Sequence, residues 1–181
     1  MPSSTLINSF LTYGTLLSHI ILVFIVLAFV FRKSWGSTTV YFVGKHALTL
    51  GLIVALTAIV GSLWYSEILG YEPCLLCWWQ RVFIYPSFVL FLIAIFRKDR
   101  NIFNYVLPLS IISGIIGAYQ SYVNLGGNSI LPCTAAGSAC SKVYVLEFGY
   151  ITIPMMSLTI AIYLIVISLI GKHYAQNDSN A

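Results

Sequence analysis

The chain has 181 residues, 59% of them hydrophobic and 8% charged, with a formal net charge of +4. A water-soluble domain needs a polar exterior that this composition does not supply, so the chain reads as a membrane protein. Its basic residues fall in small groups between apolar runs, the pattern of membrane topology and not of a nucleic-acid partner.

Residues Met1 to Phe31 carry no charged side chain when His19 is neutral. The apolar run Leu6 to Phe31 exceeds the roughly 20 helical residues that cross a bilayer core. It has neither the basic leader nor the small-residue cleavage site of a signal peptide, and reads as a retained span. Arg32, Lys33 and Lys45 bracket a polar connection, Arg32 to His46. Ala47 to Glu67 is the second span and ends in Trp64 and Tyr65, aromatic residues that favour the membrane interface.

Trp78 to Phe96 is the third span, closed by Arg97-Lys98-Asp99-Arg100. Asn104 to Tyr122 is the fourth and contains Pro108. Its Gly114, Gly117 and Ala118 predict a close-packing face. Asn124 to Gly149 is the longest polar connection and holds Cys133 and Cys140. Within it, Val143 to Tyr150 reads as a segment lying on the membrane surface. Tyr150 to Ile170 is the fifth span, with Pro154 near its start. The tail Gly171 to Ala181 is polar and is expected to be mobile. Prolines are tolerated in membrane helices when hydroxyls re-satisfy the freed carbonyls. Ser110 and Ser113 are placed to do so near Pro108, as are Ser157 and Thr159 near Pro154.

Five spans put the termini on opposite sides. Arg32, Lys33, Lys45, Arg97, Lys98, Arg100 and Lys172 make seven basic residues on one side, against Arg81 and Lys142 on the other. The positive-inside rule then places the N-terminus and both cysteine connections outside and the C-terminus in the cytoplasm. All four cysteines would lie on the oxidising face, where disulfides persist.

Cys74 and Cys77 follow Pro73, a residue suited to the first turn of a helix. Positions 74, 77 and 81 are i, i+3 and i+7 and share one helix face. The positive end of the helix and the Arg81 charge both favour a thiolate, the reactive form of cysteine. Arg81 lies about two turns into a membrane helix, where a charge marks a functional position unless it snorkels to the headgroups. Its functional reading is to anchor an electron-rich ligand oxygen beside Cys77. Cys133-Thr-Ala-Ala-Gly-Ser-Ala-Cys140 is a loop of small residues that leaves its sulfurs accessible, which favours an exchangeable disulfide over a staple. Glu67 and Glu72 are near the first pair, as proton relays or as interfacial charges. Static bridges, or zinc shared by the four cysteines, are the competing readings, and an oxidising exterior disfavours the metal. A c-type haem site is disfavoured because Trp78 stands where Cys-x-x-Cys-His needs histidine.

Pro73-Cys74-Leu75-Leu76-Cys77-Trp78-Trp79-Gln80-Arg81 resembles the Pro-Cys-x-x-Cys-Trp-Tyr-Gln-Arg signature of the DsbB family, most closely its BdbC-like branch. The stretch Cys133 to Ser157, with Phe148-Gly149-Tyr150-Ile151-Thr152-Ile153-Pro154, resembles the second cysteine loop and following helix of that branch. The resemblance covers about Leu48 to Leu169. It implies an all-α membrane protein, a four-helix transmembrane bundle with one additional N-terminal transmembrane helix. Residues 1–46 would be the added helix and a cytoplasmic connection, 47–171 the four-helix core, and 172–181 a polar cytoplasmic tail.

By resemblance, the chain is a thiol:quinone oxidoreductase of the bacterial inner (cytoplasmic) membrane that generates disulfides. Its partner is a DsbA-like thiol oxidase of thioredoxin fold, and its cofactor a quinone, ubiquinone or menaquinone, drawn from the membrane pool. Cys133 is then the sulfur attacked by the partner, Cys140 exchanges with Cys74, Cys77 faces the quinone, and Arg81 lies near a quinone oxygen. Tyr85 extends the same helix face. Gln120 stands where members often have a histidine, and can hydrogen-bond a quinone oxygen without acting as an ordinary acid or base; facing water at the helix end is its other reading. The first span has no counterpart in the four-helix core. A vitamin K epoxide reductase-like protein is the enzyme alternative, although that family carries its core Cys-x-x-Cys late in the chain. A scaffold stiffened by external disulfides is the non-enzymatic one. The orientation has a direct test: in reduced intact cells, an alkylating reagent that cannot cross membranes should modify Cys133, and protection of that residue would reverse the topology.

Overall fold

In a bilayer a chain must satisfy its own backbone hydrogen bonds, and apolar runs of this length do so as helices. The computed structural model describes residues 2–33, 36–128 and 143–179. Cys133 and Cys140 lie outside the described residues. The helices are α1 (Pro2–Val30), α2 (Ser37–Lys45), α3 (Ala47–Leu63), α4 (Leu75–Arg97), α5 (Phe103–Asn124) and α6 (Ile153–Ser179), with a π-helical turn, Trp64–Ile68, continuing α3. Five of them are long and apolar enough to cross a membrane, at Leu11–Val30, Ala47–Ile68, Leu75–Arg97, Phe103–Asn124 and Ile153–Asn177. Among the described residues the only extended pairing is the bridge Glu147–Ile151.

Helices α3, α4, α5 and α6 close into a four-helix bundle, each packing on its neighbours in chain order and α6 returning to α3. α1 stands outside that ring, against α2 and α6. The core centres on Ile84, Phe91, Phe103, Val106, Leu164 and Ile167. The rings of Phe91 and Phe103 meet edge to face, 6.3 Å between centroids. Each ring is seated on a glycine. A Cβ built on Gly51 would stand 2.4 Å from the Phe91 ring, and one on Gly171 would stand 2.4 Å from the Phe103 ring. Leu17, Val23, Val60, Val82, Val89 and Ile115 are exposed, the outward apolar faces that lipid covers.

Several expectations need correction. The connection Arg32 to His46 contains α2, whose Val40 and Val43 pack with Ile170, Phe29 and Leu50. The tail is not a loose end. α6 continues through Ser179 because Tyr174 is wedged against α2: its ring meets Tyr41 at 5.5 Å, lies under the Arg100 guanidinium at 4.6 Å, and touches the backbone space at Gly44. On α5, Gly114 and Gly117 do face α6, at Ala161 and Leu158, whereas Ala118 is exposed.

The hydroxyls near the prolines do other work. Ser110 Oγ donates to the Val106 carbonyl, not to that of Asn104, which Pro108 leaves open, and Ser113 Oγ has no partner. Pro154 is in the first turn of α6, where a missing N–H costs nothing. Thr152 caps that turn by accepting from Met155 N at 3.4 Å. Within Val143 to Tyr150, the apolar residues Val143, Leu146 and Phe148 are exposed. Val145 is buried, and Phe148 and Gly149 turn the chain back with φ of 53° and 77°.

The glycine seat under Phe91 is testable. Gly51→Val should destabilise the bundle by about 1–3 kcal/mol, the usual cost of overpacking, and lower Tm in detergent. An unchanged Tm would show that Phe91 does not depend on the seat.

Candidate functional site

The site forms where α4 begins. Cys74 is the residue just before the helix, with φ −70° and ψ 169°. Its sulfur accepts a hydrogen bond from the Cys77 backbone N–H at 3.4 Å, so a thiol takes the capping position usually held by an oxygen side chain. Pro73 therefore precedes the cap instead of forming the first turn. The cap bends the Cys74 sulfur back over the helix, 3.0 Å from the Cys77 sulfur, so the i, i+3 spacing does bring the pair together. Cys74 is 4% exposed, and Cys77 is half-buried.

Gln120 on α5 completes the pair. Its amide Nε2 points to both sulfurs, 3.1 Å from Cys74 Sγ and 3.2 Å from Cys77 Sγ. The orientation is set from the other end, where Gln80 Nε2 donates to Gln120 Oε1 at 2.6 Å. With its oxygen held, the Gln120 amide has only N–H to offer the sulfurs. Gln120 and Gln80 are 3% and 4% exposed, so Gln120 does not face water at the helix end.

Arg81 reaches sideways to α3. Its Nε donates to Ser62 Oγ at 2.9 Å and its Nη2 to the Ser62 carbonyl at 3.3 Å. The guanidinium also lies 5.0 Å from the Trp78 ring centroid. These contacts tie it to the bundle, and they use only part of its five N–H donors.

Cys74, Cys77, Arg81 and Gln120 all line one cavity of about 500 Å³, within the range of small-molecule sites. Two buried polar atoms in residues of its wall, Tyr85 Oη and Asn124 Oδ1, have no hydrogen-bond partner. Leaving such an atom unsatisfied costs about 1–3 kcal/mol. Tyr65, Tyr71 and Tyr144 stack over the cysteine end of the cavity, with centroid separations of 5.9 Å and 4.5 Å. The π-helical turn carries Tyr65 into that stack; such turns often occur at functional sites. Glu72 borders the cavity, while Glu67 is exposed and bonded to Ser66.

Sequence reasoning brought Cys74, Cys77, Arg81, Gln120 and Tyr85 to this region. It missed the roles of Gln80 and Ser62. Gln80 could have been found, because an amide in a membrane helix requires an internal partner. Ser62 carried no such signal, since small hydroxyl residues are ordinary in membrane helices.

The family model "Disulfide bond formation protein DsbB" matches residues 44–171. The chain is 44% identical over 117 residues to Disulfide bond formation protein C of Bacillus subtilis, covering 64% of this chain and 83% of the relative. It is 42% identical over 120 residues to Probable disulfide formation protein C 1 of Bacillus cereus, covering 63% and 83%. It is 37% identical over 128 residues to a Probable disulfide formation protein of Metapseudomonas resinovorans, covering 67% and 89%. No solved structure matches. The chain belongs to the DsbB family and is a multi-pass membrane oxidoreductase that forms disulfide bonds.

The amide contact predicts a reactivity change. In reduced protein, Gln120→Leu should slow alkylation of Cys77 at fixed pH by roughly ten- to hundredfold, the scale of one hydrogen bond to a charged acceptor. Equal rates would show that the amide does not act on the sulfurs.

Proposed function

We propose that this member of the DsbB family reoxidises a thioredoxin-fold, DsbA-like thiol oxidase outside the cytoplasm and passes the two electrons through its cysteine pairs to a quinone. The observation that carries the reading is that Cys77, Arg81 and Tyr85, a residue whose buried hydroxyl has no hydrogen-bond partner, line one cavity.

The cavity suits such a cofactor. A quinone ring is flat and apolar, with carbonyl acceptors at opposite edges. The wall offers apolar surface together with donors from Arg81 and Tyr85, which would hold it. When bound, a quinone supplies the two-electron acceptance that side chains lack.

The protein's own steps are thiol–disulfide exchanges. The partner's thiolate attacks Cys133 Sγ, the Cys133–Cys140 bond breaks, and Cys140 leaves as a thiolate. The partner's second thiol loses its proton and closes on the first, which completes the partner's disulfide and frees Cys133. Cys140 then attacks Cys74 Sγ, and the Cys74–Cys77 bond breaks. Cys133 finally closes on Cys140 and frees Cys74. The partner dithiol has become a disulfide, and the Cys74–Cys77 disulfide has become a dithiol.

Exchange is faster when the leaving sulfur is stabilised. The Gln120 N–H, 3.2 Å from Cys77 Sγ, stands where charge develops as Cys77 departs. The Ser62 contacts hold Arg81 beside it. Cys74 is buried while Cys77 is half-buried, so Cys77 is the more accessible sulfur of the inner pair. The basic-residue count supports a topology in which that loop faces the oxidising side.

The test uses purified full-length protein, added quinone and a reduced thioredoxin-fold dithiol partner. The wild type should oxidise the partner with one quinone reduced per disulfide formed. Cys77→Ser should abolish quinone reduction. Full activity in that variant would sink the assignment.

A further inference from the structure

The first helix is more than an anchor. The family match begins at residue 44, so α1 is additional to the matched region. Yet Leu11, Gly14, Thr15 and Ser18 of α1 line the same cavity as Cys77 and Arg81. Across it stand Val54, Thr57, Ala58 and Gly61 of α3. α1 packs on α2 and α6 and, among the described residues, does not reach α3. The apolar part of the cavity is therefore the gap between α1 and α3, floored by α6.

The chemistry of this gap differs from that of the cysteine end. Its hydroxyls are turned back onto their own helices. Thr15 Oγ1 donates to the Leu11 carbonyl at 2.8 Å, Ser18 Oγ to the Thr15 carbonyl at 2.7 Å and Thr57 Oγ1 to the Ile53 carbonyl at 2.9 Å. What these residues present to the cavity is hydrocarbon. Gly14 and Gly61 both line it, and a Cβ built on either meets no atom within 4 Å. The gap is thus open where side chains could have filled it.

α1 is also held there by specific polar contacts. The Tyr163 hydroxyl donates to the Ser18 carbonyl at 2.5 Å, and His19 Nε2 bonds Thr159 Oγ1 at 2.8 Å. Both contacts join α1 to α6 beside the cavity.

We propose that α1 forms the second wall of a slot that binds the apolar side chain of the electron acceptor, so that the added helix selects acceptors carrying a long hydrocarbon tail. The inference rests on the quinone reading and adds what that reading leaves open, the part of the acceptor that α1 recognises. Continuity argues for this occupant. The slot opens into the space around Cys77 and Arg81, so one molecule with a polar ring and an apolar chain fits both ends. A lipid acyl chain would match only the slot.

The experiment compares wild type, Gly14→Trp and Leu17→Trp. Leu17 is 59% exposed on α1 and is not part of the cavity wall. Two acceptors are used, a dimethoxy-methyl-benzoquinone ring bearing a decyl chain and the same ring without the chain. In Gly14→Trp the ratio of kcat/KM for the tailed over the tail-less acceptor should fall about tenfold, equivalent to about 1.4 kcal/mol of lost tail binding. The quinone retained per protein through purification, read by extraction, should fall with it. Leu17→Trp should keep the wild-type ratio. If Gly14→Trp does not fold, Gly14→Leu reads the same ratio. An unchanged ratio in a folded Gly14 variant would overturn the proposal, as expected if a lipid chain fills the slot. If the wild type reduces neither acceptor, the quinone reading itself fails and this proposal with it.

Discussion

The side-chain amide of Gln120 is the contact on which the site depends. Two thiols at the start of a membrane helix have few partners available, because the surroundings are apolar and the backbone supplies a single N–H, that of Cys77, to Cys74 Sγ. One amide group reaches both sulfurs, and it can do so in only one orientation, because Gln80 claims its oxygen. Gln80 and the cysteines are on α4 and Gln120 is on α5. The network is therefore closed only when α4 and α5 are in register, and a shift of one residue along either helix would leave buried amides unpaired. An unpaired amide in a low-dielectric interior is costly, so the chemistry of the site and the register of the bundle are held by the same atoms.

Packing supplies that register at a distance. Lipid offers little hydrophobic drive for helices to associate, so close approach and shape decide. Here aromatic rings fit into the space left by glycine. Phe91 of α4 enters at Gly51 of α3, and Phe103 of α5 enters at Gly171 of α6. These seats lie toward the other end of the bundle from Cys74. The Phe91 seat fixes how α3 stands beside α4, and so brings Ser62 within reach of Arg81, 19 residues away on the next helix.

Much of this was legible in the sequence, for identifiable reasons. The five spans could be read because length and apolarity decide a membrane helix almost alone. The Cys74–Cys77 pairing could be read because it is local, set by helical spacing. The limits were equally physical. α2 falls in a stretch that Arg32, Lys33 and Lys45 bracket, which reads as a polar connection; its formation rests on Val40 and Val43 meeting α6, a tertiary contact. Gly171 looked like the end of a helix, yet it is the seat for Phe103, and the helix continues past it. The Arg81–Ser62 contact spans two helices, and no local pattern announces it. Cys133 and Cys140 lie outside the described residues, and the relay proposed through them rests on chemistry and family.

The attachment of α1 follows from the same rule that governs the core. An outer helix with apolar faces gains little by leaving lipid for another apolar surface. What holds α1 to α6 is polar: a carbonyl at Ser18 and an imidazole at His19, met by Tyr163 and Thr159. Such contacts are directional, so they set the rotation of α1 about its own axis as well as its position. Gly14, Thr15 and Ser18 are i, i+1 and i+4, and therefore lie on the side of α1 that these contacts turn inward. Had α1 been held by nonspecific apolar packing, its rotation would be free and the wall it presents to the cavity undefined. The backbone carbonyl of Ser18 and the imidazole of His19 thus decide which face of the added helix the cavity meets.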